Sequence, residues 1–218
     1  MRIVGGKYRG KVLEAPAGDA TRPTSDRARE GLFNILEHGI PGFRLPEAHV
    51  ADVFAGSGAL GIEALSRGAA SLVLIENDPT AKRCIRTNLN SLKTEDQDNC
   101  RILSANALSL PLAQRKMDLV MMDPPYHSEL ATPALQALAK AGWLHPKTLI
   151  VIETAKGDPD PEIDGFAMIK DRSYGVARFL FLQQAEAALP SRRRLARLKH
   201  STDSSFFPIA SSRRPIFS

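Results

Sequence analysis

No run of about 18 apolar residues occurs in this 218-residue chain, so no helix is built to cross a bilayer. The opening MRIVGGKYRG lacks the apolar core of a secretory leader, and the expectation is a cytoplasmic protein. Cysteine is scarce. Cys84 and Cys100 stand sixteen positions apart with no CxxC pair and no histidine at ligand spacing. The pattern predicts two reduced core thiols and no metal site. Acidic residues are sparse at the end of the chain: residues 184–218 carry seven Lys/Arg against two Asp/Glu, whereas residues 1–183 carry 22 of each sign. The net charge of +5 therefore belongs to the tail. A smaller excess lies in residues 1–36, with seven Lys/Arg against four acids. Basic charge at both ends can attract phosphate, or simply be solvated surface.

What is present is an ordinary globular composition, 43% hydrophobic and 24% charged, long enough for one well-buried core. Residues 2–4 and 11–13 predict two short strands around GGKYRG, a hairpin. The loop TRPTSDRARE leads into a helix capped by Thr24 or Ser25 and running to about Leu36. Its apolar stripe is Ala28, Leu32, Ile35 and Leu36, which leaves Arg27, Arg29 and Glu30 outside. Aliphatic runs follow at 50–54, 71–76, 101–103, 118–122 and 149–153, with helical stretches at 59–67, 79–93 and 130–141 and a loop over 104–117. That alternation predicts a parallel sheet covered on both faces. The strand candidates 166–171 and 177–183 are joined only by RSYGV, which permits an antiparallel pair and forbids a helical crossover. The expected organisation is a 1–40 hairpin-and-helix extension, a 41–184 α/β core, and a 185–218 basic, disordered tail.

Two segments carry chemistry. DVFAGSGALG, residues 52–61, is a strand, a glycine turn and a helix start, with Gly56, Gly58 and Gly61 in GxGxxG spacing. Around the turn, Phe54 and Ser57 would line a bound nucleoside. GxGxxG alone does not separate dinucleotides from other nucleosides. Asp52, four positions before Gly56, argues against a pyrophosphate and for a ligand ammonium, and Glu76 at the end of the second strand is placed for ribose hydroxyls. That set fits S-adenosyl-L-methionine. Structural roles, a strand-end turn for Asp52 and a loop carboxylate for Glu76, are the alternatives.

The second segment is VMMDPPY, residues 120–126. Its two prolines remove two N–H donors and lock two φ angles, so the corner offers acceptors. An exocyclic amine is a poor nucleophile because its lone pair is delocalised. Asp123 and the Pro124 carbonyl can each accept one N–H and turn the lone pair toward a methyl donor. Pro125 stiffens the corner, and Tyr126 offers a ring on which a flipped base can stack. Asn106, after the third strand, either accepts from adenine or closes an Asx turn, and the Ala107 N–H can reach adenine N1.

With MRIVGGKYRGKVL, TRPTSDRAREGLFNIL, DVFAGSGALGIEALSRGA and MMDPPY in hand, residues 1 to about 183 resemble the bacterial 16S rRNA guanine-N2 methyltransferases. The resemblance implies a Rossmann-like class I methyltransferase with a mostly parallel seven-stranded sheet and an antiparallel terminal hairpin. It further implies action on guanine N2 in 16S rRNA, within a 30S subunit or its assembly intermediate, with Arg22, Thr24, Arg27 and Arg29 near the substrate mouth; a monomer is the default expectation. Helix-surface charges and caps are the plain reading of those four. Asn106 stands where the family pattern has Asp, and the tail exceeds what the family needs. A DNA adenine-N6 or protein glutamine methyltransferase shares the acceptor logic. A silent RNA-binding assembly factor leaves the intact motif unused, and a nucleotide-dependent oxidoreductase leaves Asp52 and DPPY unexplained.

Overall fold

The computed structural model of the protein describes residues 1–16, 25–161 and 163–185. Seven strands, β1 (His49–Val53), β2 (Ser71–Glu76), β3 (Cys100–Ser104), β4 (Leu119–Met122), β5 (Leu149–Ala155), β6 (Phe166–Tyr174) and β7 (Ala177–Gln184), form one sheet in the order β3-β2-β1-β4-β5-β7-β6. The first five are parallel, and β7 runs antiparallel to both β5 and β6. The β6–β7 link is tighter than the sequence suggested. Tyr174 pairs with Ala177, and Gly175 at φ 64 opens a two-residue loop, as a tight hairpin turn requires.

Side chains alternate across the sheet, which splits the core in two. Val50, Leu72, Leu119, Met121 and Val151 enter one cluster, under helices α1 (Asp26–His38), α2 (Ala59–Ser66) and α3 (Pro79–Asn90). Ala51, Val53, Val120, Met122 and Ile152 enter the other, under α5 (Ala131–Lys140). The single helix expected over 79–93 ends at Asn90 and is followed by a short α4 (Thr94–Asp98).

Helix α2 is buried along its whole length. A helix apolar on every side needs cover on every side. The sheet supplies half of that cover, and the N-terminal segment supplies the rest through Ile3, Tyr8 and Leu13. Here the expected strand pair reduces to one antiparallel bridge, Arg2 with Val12, around a 3₁₀ turn at Gly6–Tyr8. The turn diverts the tip so that the Tyr8 N–H meets Ser66 Oγ (2.9 Å) and the Tyr8 hydroxyl meets the Asp96 carboxylate. Met1 to Gln184 thus forms one compact unit. The basic tail, from residue 186 on, lies outside the described residues.

Polar groups on α2 are satisfied from the same segment. Glu63, fully buried, accepts from the Val4 N–H (2.8 Å) and Arg67 Nε (2.7 Å), with Arg29 Nε 3.9 Å away. Arg29 corrects the sequence reading. It is 1% exposed, donates to the Arg2 carbonyl (2.6 Å) and pairs with Asp26 (2.7 Å), so in this structure its guanidinium is buried among structural partners and not on the helix surface. The apolar stripe missed it because, besides Asp26 on its own helix, its partners are the Arg2 carbonyl and Glu63 on α2, which lie far away in sequence.

Candidate active site

The strand order reverses direction between β1 and β4, and ligands of open α/β sheets bind in the crevice at the carboxyl ends of such strands. Both sequence segments arrive there. After β1, the chain takes positive φ at Phe54 (61), Gly56 (56) and Gly58 (77); glycine meets this demand without strain at two of the three positions, and Phe54 adopts the left-handed region as a non-glycine residue. Gly61 serves packing. A Cβ there would lie 2.7 Å from Leu72 Cδ1 and 3.0 Å from Asp52 Oδ2, so its absence lets α2 close on the sheet.

Asp52 lies beneath this loop, 1% exposed, with Oδ2 accepting from the Gly61 N–H (2.9 Å). Burial pushes its carboxyl up to about 7; the Gly61 bond opposes this and Glu76 adds to it. Glu76 holds the loop to the second strand. Its Oε2 accepts from Gly56 N–H (2.8 Å), and its Oε1 accepts from the Asn77 and Asp78 amides (2.7 and 2.8 Å). A brace not anticipated from sequence is Asn88, buried on α3. Its Nδ2 donates to the carbonyls of Ser57 (2.9 Å) and Glu14 (3.1 Å), and its Oδ1 accepts from the Glu14 N–H (2.8 Å).

The DPPY corner follows β4 at once. The Asp123 N–H donates to the Val53 carbonyl (3.2 Å), which ties the corner to the strand bearing Asp52. Pro124 is buried and Pro125 exposed, and the turn closes on the Pro125 carbonyl, which accepts from the Ser128 N–H (3.2 Å). Burial raises the Asp123 carboxyl well above the ordinary carboxylate range, and the neighbouring charges of Glu153 and Asp52 raise it further. Glu153, on β5 and 2% exposed, also went unnoticed in the sequence, and its Oε1 accepts from the Tyr126 hydroxyl (2.8 Å). Asp52, Asp123 and Glu153 share one face at the ends of three adjacent strands, a placement that follows from the period of two.

Next to the corner is a cleft of about 860 Å³ lined by His127, Thr132, Thr154, Asp158 and Asp160. His127, at φ 58, places Nδ1 2.7 Å from Asp158 Oδ1 and so joins the loops after β4 and β5. Asn106 forms the Asx turn: its Oδ1 accepts from the Leu108 N–H (2.9 Å), while Ala107 is buried beside it. Arg27 is exposed on α1, and Arg22 and Thr24 lie outside the described residues. Among the described residues no His, Cys, Asp and Glu cluster could hold a metal, and no helix is long and apolar enough to cross a membrane.

These features fit S-adenosylmethionine on chemical grounds. A buried carboxyl whose proton affinity is raised lies beneath a glycine cradle whose other wall carries the Glu76 carboxylate, and an ammonium would supply the missing positive charge. Sheet order and corner together define a class I methyltransferase fold. Residues 1–183 match the family model described as conserved hypothetical protein 95. The chain is similar to the ribosomal RNA small subunit methyltransferase D of Escherichia coli (42% identity, 85% of this chain and 91% of the relative). It is also similar to that of Haemophilus influenzae (35%, 84% and 93%). Among solved structures, the putative methyltransferase yhhF from Escherichia coli superposes with a TM-score of 0.70 at 34% identity, covering 84% of this chain and 97% of that one. The chain belongs to the conserved hypothetical protein 95 family, with these methyltransferases as relatives.

Proposed function

We propose that this protein uses S-adenosylmethionine to methylate the exocyclic N2 amino group of a guanine in small-subunit ribosomal RNA. The observation that carries the reading is the acceptor corner itself: Asp123, its charge disfavoured by burial and by Glu153, stands at the switch point beside the glycine loop. The names of the relatives support ribosomal RNA as the substrate class. When bound, the cofactor supplies an electrophilic methyl group on a sulfonium. Asp52 would receive the ammonium, Glu76 the ribose hydroxyls, and the Ala107 amide the adenine ring; Phe54 and the Gly56–Gly58 backbone would line the nucleoside. Asn106 would contribute from the rim of the adenine pocket.

Asp123 and the Pro124 carbonyl would accept the two N–H groups of the amine, and Tyr126 would carry the base. The lone pair so aligned would take up the methyl group that the cofactor supplies, the bonding electrons staying with the sulfur, and the proton released from nitrogen would pass to Asp123 or to water. Positive charge entering the crevice restores the carboxylate forms of Asp52 and Asp123. Alignment supplies much of the rate. Arg22, Thr24 and Arg27 would flank the RNA, and the basic ends would add attraction to phosphates. The proposed setting is the cytoplasm, with a monomer acting on a 30S particle or its precursor. Replacement Asp123→Ala is expected to slow transfer about 10²–10⁴-fold, by analogy with lost proton-transfer groups, while cofactor affinity stays within a few-fold. An unchanged turnover would refute the assignment.

A further inference from the structure

The corner has a third carboxylate whose part in the reaction is not covered by the reading above. Glu153 is 2% exposed and lies in the C-terminal half of β5, two residues before its end. Because Met122 pairs with Ile152, the next residues along the two strands, Asp123 and Glu153, come side by side, at a strand spacing of about 4.8 Å. Glu153 Oε1 also accepts from the Tyr126 hydroxyl (2.8 Å). One buried side chain thus holds the Tyr126 hydroxyl and neighbours the Asp123 carboxylate, the two parts of the corner that would meet the acceptor base.

We propose that Glu153 is a positioning residue for the transfer step, setting the angle of the Tyr126 ring through its hydroxyl while crowding a second carboxylate against Asp123. The inference rests on the proposed amino-methyltransferase reading. Folding alone does not call for a carboxylate here: the flanking β5 residues Ile150, Val151 and Ile152 are buried and apolar, and burying an acid beside another acid is costly. Hydrogen bonding to the tyrosine hydroxyl offsets part of that cost. A rigid ring matters because misplacement of a reactant by about 1 Å can cost a hundredfold in rate.

The charged and titratable groups facing Asp123 are Asp52 from β1, Glu153 from β5 and, on its own loop, Tyr126, bonded to Glu153. Removing the Glu153 charge lowers the proton affinity of Asp123, so the acid limb of a rate profile moves to lower pH. Glu153→Gln keeps an oxygen for the Tyr126 hydroxyl and removes the charge; Tyr126→Phe keeps the ring and removes the hydroxyl; Glu153→Ala removes both functions.

The test measures methyl transfer from S-adenosylmethionine to small-subunit particles lacking the modification, with cofactor affinity and thermal melting recorded for each variant. Expected results are a loss of about a hundredfold in kcat for Glu153→Ala, recovery of most of it in Glu153→Gln with its acid limb at lower pH, and a raised KM for particles in Tyr126→Phe. Cofactor affinity should stay at the wild-type level throughout. Should Glu153→Ala fail to fold, Glu153→Gln and Tyr126→Phe decide. An unmoved acid limb in Glu153→Gln together with an unchanged KM in Tyr126→Phe overturns the proposal. A wild-type protein that transfers no methyl group to the particles defeats the functional reading itself, and this inference with it.

Discussion

Replacing Glu63 with alanine tests how the N-terminal segment is held to the cofactor-side helix. The wild-type carboxylate is fully buried and takes Arg67 Nε at 2.7 Å, the Val4 amide at 2.8 Å and Arg29 Nε at 3.9 Å. Breaking a buried ion pair by removing one partner costs about 3–5 kcal/mol, since a charge stays behind. An unmade amide bond adds about 1–3 kcal/mol. Both arginines retain a second carboxylate, Glu37 at 3.1 Å for Arg67 and Asp26 at 2.7 Å for Arg29, so the sum is discounted. The net expectation is a loss of about 4 kcal/mol, a large share of the roughly 5–15 kcal/mol that holds a domain together. For a unit of this size the melting temperature should fall by about 8–16 °C. Differential scanning calorimetry measures the loss, and hydrogen exchange locates it: the Val4 and Tyr8 amides should lose protection before those of β1 and β4. A fall below about 3 °C, or uniform loss of protection, would show that Glu63 does not anchor the segment.

Two further predictions concern the glycine loop. Asp52 has its proton affinity raised in the folded state, from 3.8 to about 7, so the native protein binds that proton more tightly than the unfolded chain. The stability linked to it is present at low pH and is lost as pH rises across that window, by an amount on the order of 4 kcal/mol. Asp52→Asn should therefore flatten the fall in melting temperature between pH 5 and 8 and weaken cofactor binding at least about tenfold, a loss of roughly 1.4 kcal/mol; parallel melting curves would contradict the burial account. Gly61→Ala puts a methyl group 2.7 Å from Leu72 Cδ1 and 3.0 Å from Asp52 Oδ2. Overpacking of this kind costs about 1–3 kcal/mol, and the displaced Asp52 should lower cofactor affinity in titration calorimetry; wild-type affinity and stability would mean that α2 has room to move.

Much of the fold was legible because its signals are local. Each aliphatic run became a strand with ends shifted by a residue or two, and RSYGV forced the antiparallel closure. The placement of Asp52, Gly56, Gly58, Glu76 and Asp123 around one crevice was legible because the turn chemistry of their own segments marks them. Burial of Arg29 was not, since it depends on Glu63 and the Arg2 carbonyl, which only the folded chain brings near. Asn88 escaped for the same reason: its partners, Glu14 and Ser57, lie far away in sequence. Glu153 had a readable signal. In LIVIETA it falls on the same face as Leu149 and Val151, an acid on an apolar face at the level of Asp123. The His127–Asp158 contact joins two loops, and no periodicity announces it.

The central claim is the identity of the methylated atom. Purified protein, labelled S-adenosylmethionine and small-subunit particles from cells lacking this gene, followed by nuclease digestion and mass analysis of nucleosides, test it directly. Label is expected in N2-methylguanosine at one position of the small-subunit RNA, absent with Asp123→Ala. Label in N6-methyladenosine, or in protein and not in RNA, would contradict it.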